Sequence, residues 1–128
     1  MKSLLTISTL IFTVMFSSAS YAEWKLVSES VRGHTFYVDF ERIRKHDGYV
    51  YWWYLTDLLE PDKDGDLSYI SYVQGDCGVF RHKTLSEWYY KQDMGRGTRT
   101  TSTLQNPQWN YPAPDSNWEV ILKEVCDR

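Results

Sequence analysis

Three carboxylates occupy alternate positions of the segment Asp62–Asp66, whose sequence is Asp-Lys-Asp-Gly-Asp. Alternating carboxylates bind Ca²⁺ in EF-hand loops, where glycine is the sixth residue and a bidentate glutamate the twelfth. Here Gly65 is the fourth residue, and the twelfth is Val73, whose side chain has no oxygen. The spacing therefore predicts an acidic hairpin turn rather than a calcium site.

Residue types of familiar enzyme sites are present without the spacing that catalysis needs. The histidines His34, His46 and His82 form no HxxH or HExxH pattern, and a zinc enzyme needs three protein ligands and an activating water. The sequence contains no Gly-x-Ser-x-Gly nucleophile motif. The Gly-Arg-Gly of residues 95–97 lacks the P-loop and dinucleotide-binding spacings. We therefore predict no catalytic activity, no metal and no cofactor.

Residues 1–22 have the composition of a cleavable signal peptide. Lys2 precedes the apolar stretch Leu4–Phe16, and small residues occupy the −3 and −1 positions of a cut after Ala22. The stretch is too short and too rich in hydroxyl groups to span about 30 Å of hydrocarbon. We predict a signal peptide over 1–22 and export to the periplasm, the medium or the cell surface. Because no cysteine lies at the cleavage point, we expect no lipid anchor.

The composition of the chain excludes several classes of protein. A length of 128 residues supports one domain, which we place at residues 23–128. An aromatic content of 16% argues against disorder, and a net charge of −3 argues against nucleic-acid binding by bulk positive charge. After the leader, no apolar stretch reaches membrane-spanning length. We expect neither a nucleic-acid partner nor a membrane span.

The chain has two cysteines, Cys77 and Cys126. In an oxidising compartment they would form one disulfide with none left over. A metal pair or a redox pair is the alternative, but neither cysteine has a partner at Cys-x-x-Cys spacing. A bridge that closes a loop of about 50 residues stabilises a fold by on the order of 4 kcal/mol. We therefore predict a structural disulfide.

Alternation of apolar and polar residues predicts that much of the chain is β-strand. Residues 41–45 are expected to form a short helical turn. Residues 86–91 fit either a strand or a helix, and we favour a strand or a short irregular piece. The predicted strands cover residues 23–30, 34–40, 49–55, 67–74, 79–85 and 98–104.

Both faces of the predicted strand Tyr49–Leu55 carry bulky side chains. Side chains alternate between the faces of a strand, so Tyr51 and Trp53 lie on one face and Trp52 on the other. Aromatic and β-branched residues favour strands, and we expect a central strand that is covered on both sides. One cover should be a helix. The other would be a partner, a second subunit of a homodimer, or the curl of the sheet itself.

The last predicted element is a helix over Asn117–Cys126. Ser116 and Glu119 form the Ser-x-x-Glu capping box, and apolar residues recur after it at helical spacing. Because so short a helix is unstable alone, it must dock on the sheet. The predicted fold is α+β, with an antiparallel sheet of about five or six strands, a C-terminal helix packed on one face and one disulfide.

A basic segment with aromatic residues, from Arg81 to Arg99, is the candidate binding surface. Arginine and aromatic residues dominate the energetics of protein interfaces, so the segment is a candidate protein-docking surface. It would equally suit an acidic polysaccharide, and the simplest alternative is a solvated face with its rings in the core. The candidate partner-binding residues are Arg81, Lys83, Trp88, Tyr89, Lys91, Arg96 and Arg99.

The order of these features resembles that of the surface-adhesin protein E-like family of bacterial envelope proteins, over residues 24–126. The residues that carry the resemblance are, in chain order, Trp24, Phe36–Asp39, Ile43, Val50–Asp57, Ser71, Asp76, Cys77, Arg81, Tyr89–Gly97, Trp109, the proline-rich loop before Ser116, and Cys126. The resemblance implies an antiparallel sheet with a terminal helix, a bridge between the two cysteines, and adhesion to host extracellular proteins.

Two functional hypotheses follow from export, the resemblance and the absence of catalytic spacing. The first is a non-catalytic binding module that binds a protein partner, such as a host extracellular matrix protein. The second is a periplasmic envelope-assembly or inhibitor protein with a bacterial partner. The adhesin that names the family is a lipoprotein, whereas this chain has no cysteine at its cleavage point.

Overall fold

The computed structural model describes residues 22–128, so the predicted signal peptide lies outside the described residues except for Ala22. Residues 22–128 form seven strands, two short 3₁₀ turns and one α-helix. The strands are β1 (Lys25–Glu29), β2 (Thr35–Val38), β3 (Arg44–His46), β4 (Tyr49–Asp57), β5 (Ser68–Asp76), β6 (Arg81–Tyr90) and β7 (Arg99–Thr103). The 3₁₀ turns are Phe40–Arg42 and Asp93–Gly95, and the helix α1 is Asn117–Cys126.

The strands form one antiparallel sheet in the order β1-β2-β4-β5-β6-β7. β4 is long enough to pair with β2 along one half and with β3 along the other. The α+β prediction is confirmed: six strands follow the main path, and the short β3 adds a seventh. β3 was predicted as part of a helical turn; in the structure a 3₁₀ turn ends at Arg42 and the strand begins at Arg44.

The predicted strand over residues 34–40 ends early, at Val38. The carboxylate of Asp39 accepts a hydrogen bond of 3.2 Å from the backbone N–H of Glu41, which caps the 3₁₀ turn. Phe40 therefore lies in the turn, yet its ring still packs against the core. Residues 86–90, whose secondary structure the sequence left open, continue β6 as far as Tyr90.

The core lies between α1 and one face of the sheet. Trp52 of β4 is fully buried, as are Ile121, Leu122 and Val125 of the helix. The ring of Trp118 lies 5.0 Å from that of Tyr54, and burial raises the pKa of Tyr54 to about 12. The apolar stripe of the helix therefore docks on the sheet, as its short length requires.

The helix begins with the predicted cap. The Ser116 hydroxyl accepts a hydrogen bond of 3.2 Å from the backbone N–H of Glu119. The Glu119 carboxylate accepts one of 3.1 Å from the backbone N–H of Asp115, one residue earlier than in the usual reciprocal capping box. Both contacts satisfy backbone donors near the start of the helix.

A disulfide joins Cys77 to Cys126, as predicted. It links the turn between β5 and β6 to the last residue of α1, with the two Cα atoms 5.7 Å apart. The bridge spans a sequence separation of 49 residues, so it holds the helix against the strands that it covers.

Replacement of both cysteines, Cys77→Ser with Cys126→Ser, should lower the free energy of unfolding by about 4 kcal/mol, because the unfolded chain regains the entropy of the open loop. Denaturant titration of the oxidised wild type and of the double variant measures the difference. The reduced wild type is the control and should match the variant. A loss below about 1 kcal/mol would show that the helix docks without help from the bridge.

Gly75 of β5 lies beneath the helix, next to Trp52 of the neighbouring strand. A Cβ at this position would meet the Trp52 ring at 2.7 Å and a Leu122 methyl group at 3.1 Å. Both neighbours are fully buried, so neither has room to move. A hydrogen atom is therefore the largest substituent that fits.

Gly75→Ala should destabilise the fold by about 1–3 kcal/mol, because the added methyl group overpacks the core. Thermal and denaturant unfolding measure the loss. Gly78→Ala is the matched control, since the nearest atom to a Cβ there is an Asp76 carboxylate oxygen at 3.6 Å. Equal stability of the two variants would contradict the tight packing between sheet and helix.

Candidate functional site

The second face of the sheet carries a row of half-exposed rings. Centroid distances are 5.4 Å from Trp88 to Trp53, 4.6 Å from Trp53 to Tyr72 and 6.1 Å from Tyr72 to Tyr51. We call these four residues the aromatic row. They lie on β4, β5 and β6, on the side opposite to Trp52 and the helix.

One end of this face is covered by the chain itself. Leu55 is fully buried, and Gly95 in the turn after β6 lies against Ile70 and Leu55. The buried hydroxyl of Ser68 accepts a hydrogen bond of 2.8 Å from the Gly95 N–H and donates one of 2.7 Å to a backbone carbonyl of the same segment. The expected second cover of β4 is thus this turn at Leu55, whereas the aromatic row stays half-exposed.

The other end of the face carries cations stacked on an indole. Trp109, in the loop before the helix, lies 5.7 Å from the Tyr49 ring. The Arg81 guanidinium carbon is 4.2 Å and the Lys83 ammonium 4.3 Å from the Trp109 ring centroid. Arginine and lysine are attracted to the negative face of an aromatic ring. We call Trp109, Arg81 and Lys83 the cation cluster.

The loop and the strand that build the cation cluster are held by specific contacts. His82 of β6 and Asn110 exchange two backbone hydrogen bonds, of 2.9 Å and 2.8 Å, which place Trp109. Arg81 Nε donates to an Asp76 carboxylate oxygen at 3.0 Å. The pKa of Asp76 is lowered, chiefly by the backbone N–H of Val79 and then by Arg81. Arg81 is therefore oriented before any ligand arrives.

A β-bulge in β6 brings the aromatic row and the cation cluster to one face. Val73 pairs with Thr84 and Tyr72 with Ser86, so Leu85 is an extra residue in β6. If Leu85 instead took a pairing position, strict alternation from Arg81 onward would place Trp88 on the helix side. The bulge therefore unites residues that simple alternation separates.

The predicted partner-binding residues fall into two sets. We call the side of the sheet opposite the helix the open face. Arg81, Lys83 and Trp88 lie on the open face, and Arg99 lines a cavity beside Trp88. The second set lies elsewhere: Tyr89 is on the opposite face against Tyr69, Lys91 Nζ is 3.0 Å from an Asp66 oxygen, and Arg96 donates to Asp93 at 2.6 Å. The positive charges of Lys91 and Arg96 are therefore balanced locally.

Sequence reasoning did not single out Tyr72, Trp109 and Trp24 as binding residues. Alternation places Tyr72 on a face of its own strand but does not say which strand lies beside it. Trp109 and Trp24 lie outside regular elements and carry no periodic signal. The one available signal was the high count of tryptophan, six in 128 residues, which exceeds what a core this small can bury.

The acidic turn is built from contacts within the protein. Carboxylate oxygens of Asp62, Asp64 and Asp66 come within 4.8 Å of one another. Asp62 accepts backbone hydrogen bonds of 2.9 Å from Asp64 and Asp66 and a third from the Tyr69 hydroxyl, and the Tyr69 contact lowers the pKa of Asp62. These carboxylates therefore serve the turn and its salt bridge to Lys91.

His82 lies in the core rather than in a site. Its ring stacks on Trp118 at 3.7 Å between centroids, and only 5% of the residue is exposed. Burial lowers the pKa of His82 from 6.5 to about 4. The neutral imidazole is therefore part of the packing between sheet and helix.

Stability should fall as the pH drops from about 6.5 to about 4, because the unfolded chain takes up a proton that folded His82 resists. The contribution of this histidine is roughly 3 kcal/mol across that window. His82→Phe keeps a ring on Trp118 and should flatten the pH dependence measured by urea unfolding. His46→Phe, at an exposed position, is the control, and equal acid sensitivity in both variants would contradict the assignment.

One face of the sheet is closed by a disulfide-linked helix, and the other presents aromatic rings and cations. The surface-adhesin protein E family model matches residues 24–127, and the chain belongs to this family.

Solved structures of a Haemophilus influenzae protein share the fold. Crystal form II of Haemophilus influenzae protein E is 16% identical with a TM-score of 0.65, covering 85% of this chain and 91% of that one. Protein E from non-typeable Haemophilus influenzae is 15% identical with a TM-score of 0.59, covering 86% and 79%. No curated protein matches the sequence. Within residues 22–128 no helix has the length and apolarity needed to cross a bilayer.

Proposed function

We propose that the chain is an exported, non-catalytic binding module that docks an extracellular host protein on the open face of its sheet. The observation that carries the proposal is the continuity of the aromatic row with the cation cluster on one rigid face. Membership of a surface-adhesin family supports it.

The chemistry of the face suits an acidic protein surface. Binding hot spots at protein interfaces are enriched in tryptophan, tyrosine and arginine. The two aromatic side chains bury large areas with few rotatable bonds. Asp76 pairs with Arg81, so Arg81 and Lys83 together leave one net positive charge at the edge of the row, where it attracts acidic groups and speeds association. Because the sheet is rigid, little ordering entropy is lost when a partner docks.

Export is supported by two features of the chain. The leader over residues 1–22 has the pattern of a signal peptide, and the cysteines form the disulfide that an oxidising compartment allows. No lipid anchor is proposed. A periplasmic role with a bacterial partner is the alternative, and fractionation with surface labelling decides between them: confinement to the periplasm would exclude host adhesion.

Charge reversal should separate the two sets of basic residues. Arg81→Glu with Lys83→Glu should weaken binding to an immobilised host matrix extract by at least roughly tenfold, about 1.4 kcal/mol, and reduce its salt dependence. Lys91→Glu with Arg96→Glu is the matched control, with the same change of net charge at positions outside the open face. Surface plasmon resonance at several salt concentrations measures both variants.

The control also decides how the result is interpreted. We expect the Lys91 and Arg96 variant to bind as the wild type does, after its folded fraction is checked by unfolding. Equal weakening of both variants would show that binding follows overall charge and would contradict the proposed docking face. Unchanged affinity of the Arg81 and Lys83 variant would do the same.

A second copy of the chain is the other occupant predicted for the open face. Half-exposed rings such as Trp53 and Tyr72 lose contact with water when two faces meet. Sedimentation velocity over a range of concentrations tests this homodimer. A monomer at the highest concentration would leave the face to other partners.

A further inference from the structure

A cavity of about 230 Å³ lies at the end of the aromatic row away from the cation cluster. Three indole side chains line it, those of Trp24, Trp53 and Trp88, from three separate parts of the chain. Its mouth opens on the same face as the row.

Charged groups share this cavity with the indoles. Asp39 is 1% exposed, and its Oδ2 atom lies 3.3 Å from Arg42 Nε. Arg99, on the edge strand β7, is exposed and also lines the cavity. Two guanidinium groups and one carboxylate leave a net positive charge at the mouth, so an anionic ligand is favoured over a neutral or a cationic one.

An apolar side chain from a partner protein is a poor ligand for a cavity that combines indole rings with charged groups. It would stack on the indoles but would take water from the exposed Arg99 guanidinium group without replacing the lost hydrogen bonds, which costs free energy. A sugar ring fits better. Its C–H groups meet the negative face of an indole, while its hydroxyl groups bond a guanidinium group. A sugar carboxylate would pair with the charge of Arg99.

We propose that this cavity binds a hexuronate residue of a polyanionic glycan of the extracellular matrix. Trp53 and Trp88 stack on the sugar ring, and Arg99 binds the carboxylate. The aromatic row continues from the cavity and offers further rings to the next sugars of the chain. The proposal rests on the proposed function only for the source of the glycan.

The six tryptophans provide the test. Indole N–H resonances are followed by NMR while hyaluronan tetrasaccharide, an alternating polymer of glucuronate and N-acetylglucosamine, is added to the purified protein. We expect shifts at Trp24, Trp53 and Trp88. The resonances of Trp52 and Trp118, which lie on the helix side, should stay in place and show that the fold is intact.

Matched probes test the chemistry of the ligand. Chitotetraose has the same length without carboxylates and should bind at least roughly tenfold more weakly. Equal binding of the two sugars would overturn the role of the carboxylate. Tetraglutamate carries the charges without sugar rings, and if it shifts the same indoles as strongly, the cavity is a docking site for acidic protein and the proposal is wrong.

Variants test the place of binding. Arg99→Glu should weaken hyaluronan binding at least roughly tenfold, whereas Arg32→Glu, with the same change of charge on an exposed turn, should leave it unchanged. Shifts confined to Trp109, or the absence of any shift, would overturn the proposal. Neither result would touch the proposed protein docking, which the variants of Arg81 and Lys83 test separately.

Discussion

The rest of the structure depends on the docking of one short helix on one face of the sheet. α1 has ten residues and is not stable alone, so Trp118, Ile121, Leu122 and Val125 must be buried against the sheet. The absence of a side chain at Gly75 lets the helix come close, and the bridge to Cys77 limits how far it can depart. Because the helix occupies one face, the rings of the opposite face stay half-exposed.

The two sides of β4 differ in burial in the same way as the two faces of the sheet. Val50, Trp52 and Tyr54 are buried under the helix, whereas Tyr51 and Trp53 are half-exposed on the other side. The two sets consist of similar residue types, so hydrophobicity alone does not separate core from surface here. What separates them is the side on which the helix packs, and the same ring chemistry stabilises the fold on one side and offers contact area on the other.

The helix, the disulfide and the two-sided character of β4 were predictable because each depends on local spacing or on a count of cysteines. The course of residues 86–90 was not, because the extra residue at Leu85 interrupts the alternation from which strands are inferred. The contacts of Lys91 and Trp109 could not be predicted from the sequence either. Lys91 is neutralised by Asp66, which lies in another segment, and Trp109 reaches the face through a loop. Contacts of this kind depend on strand register, which residue types do not specify.

The bulge at Leu85 lets β6 lose one residue without any change in which side chains are exposed. Thr84 and Ser86 already pair with consecutive residues of β5, so loss of the Leu85 codon would restore a regular ladder with Trp88 still outward. A ladder in which Leu85 itself took a pairing position would instead turn Glu87 and Tyr89 outward, and an acidic group would stand where an indole now lies. The extra residue therefore protects the exposed surface against a change of strand length, and only its entry into the register would alter that surface.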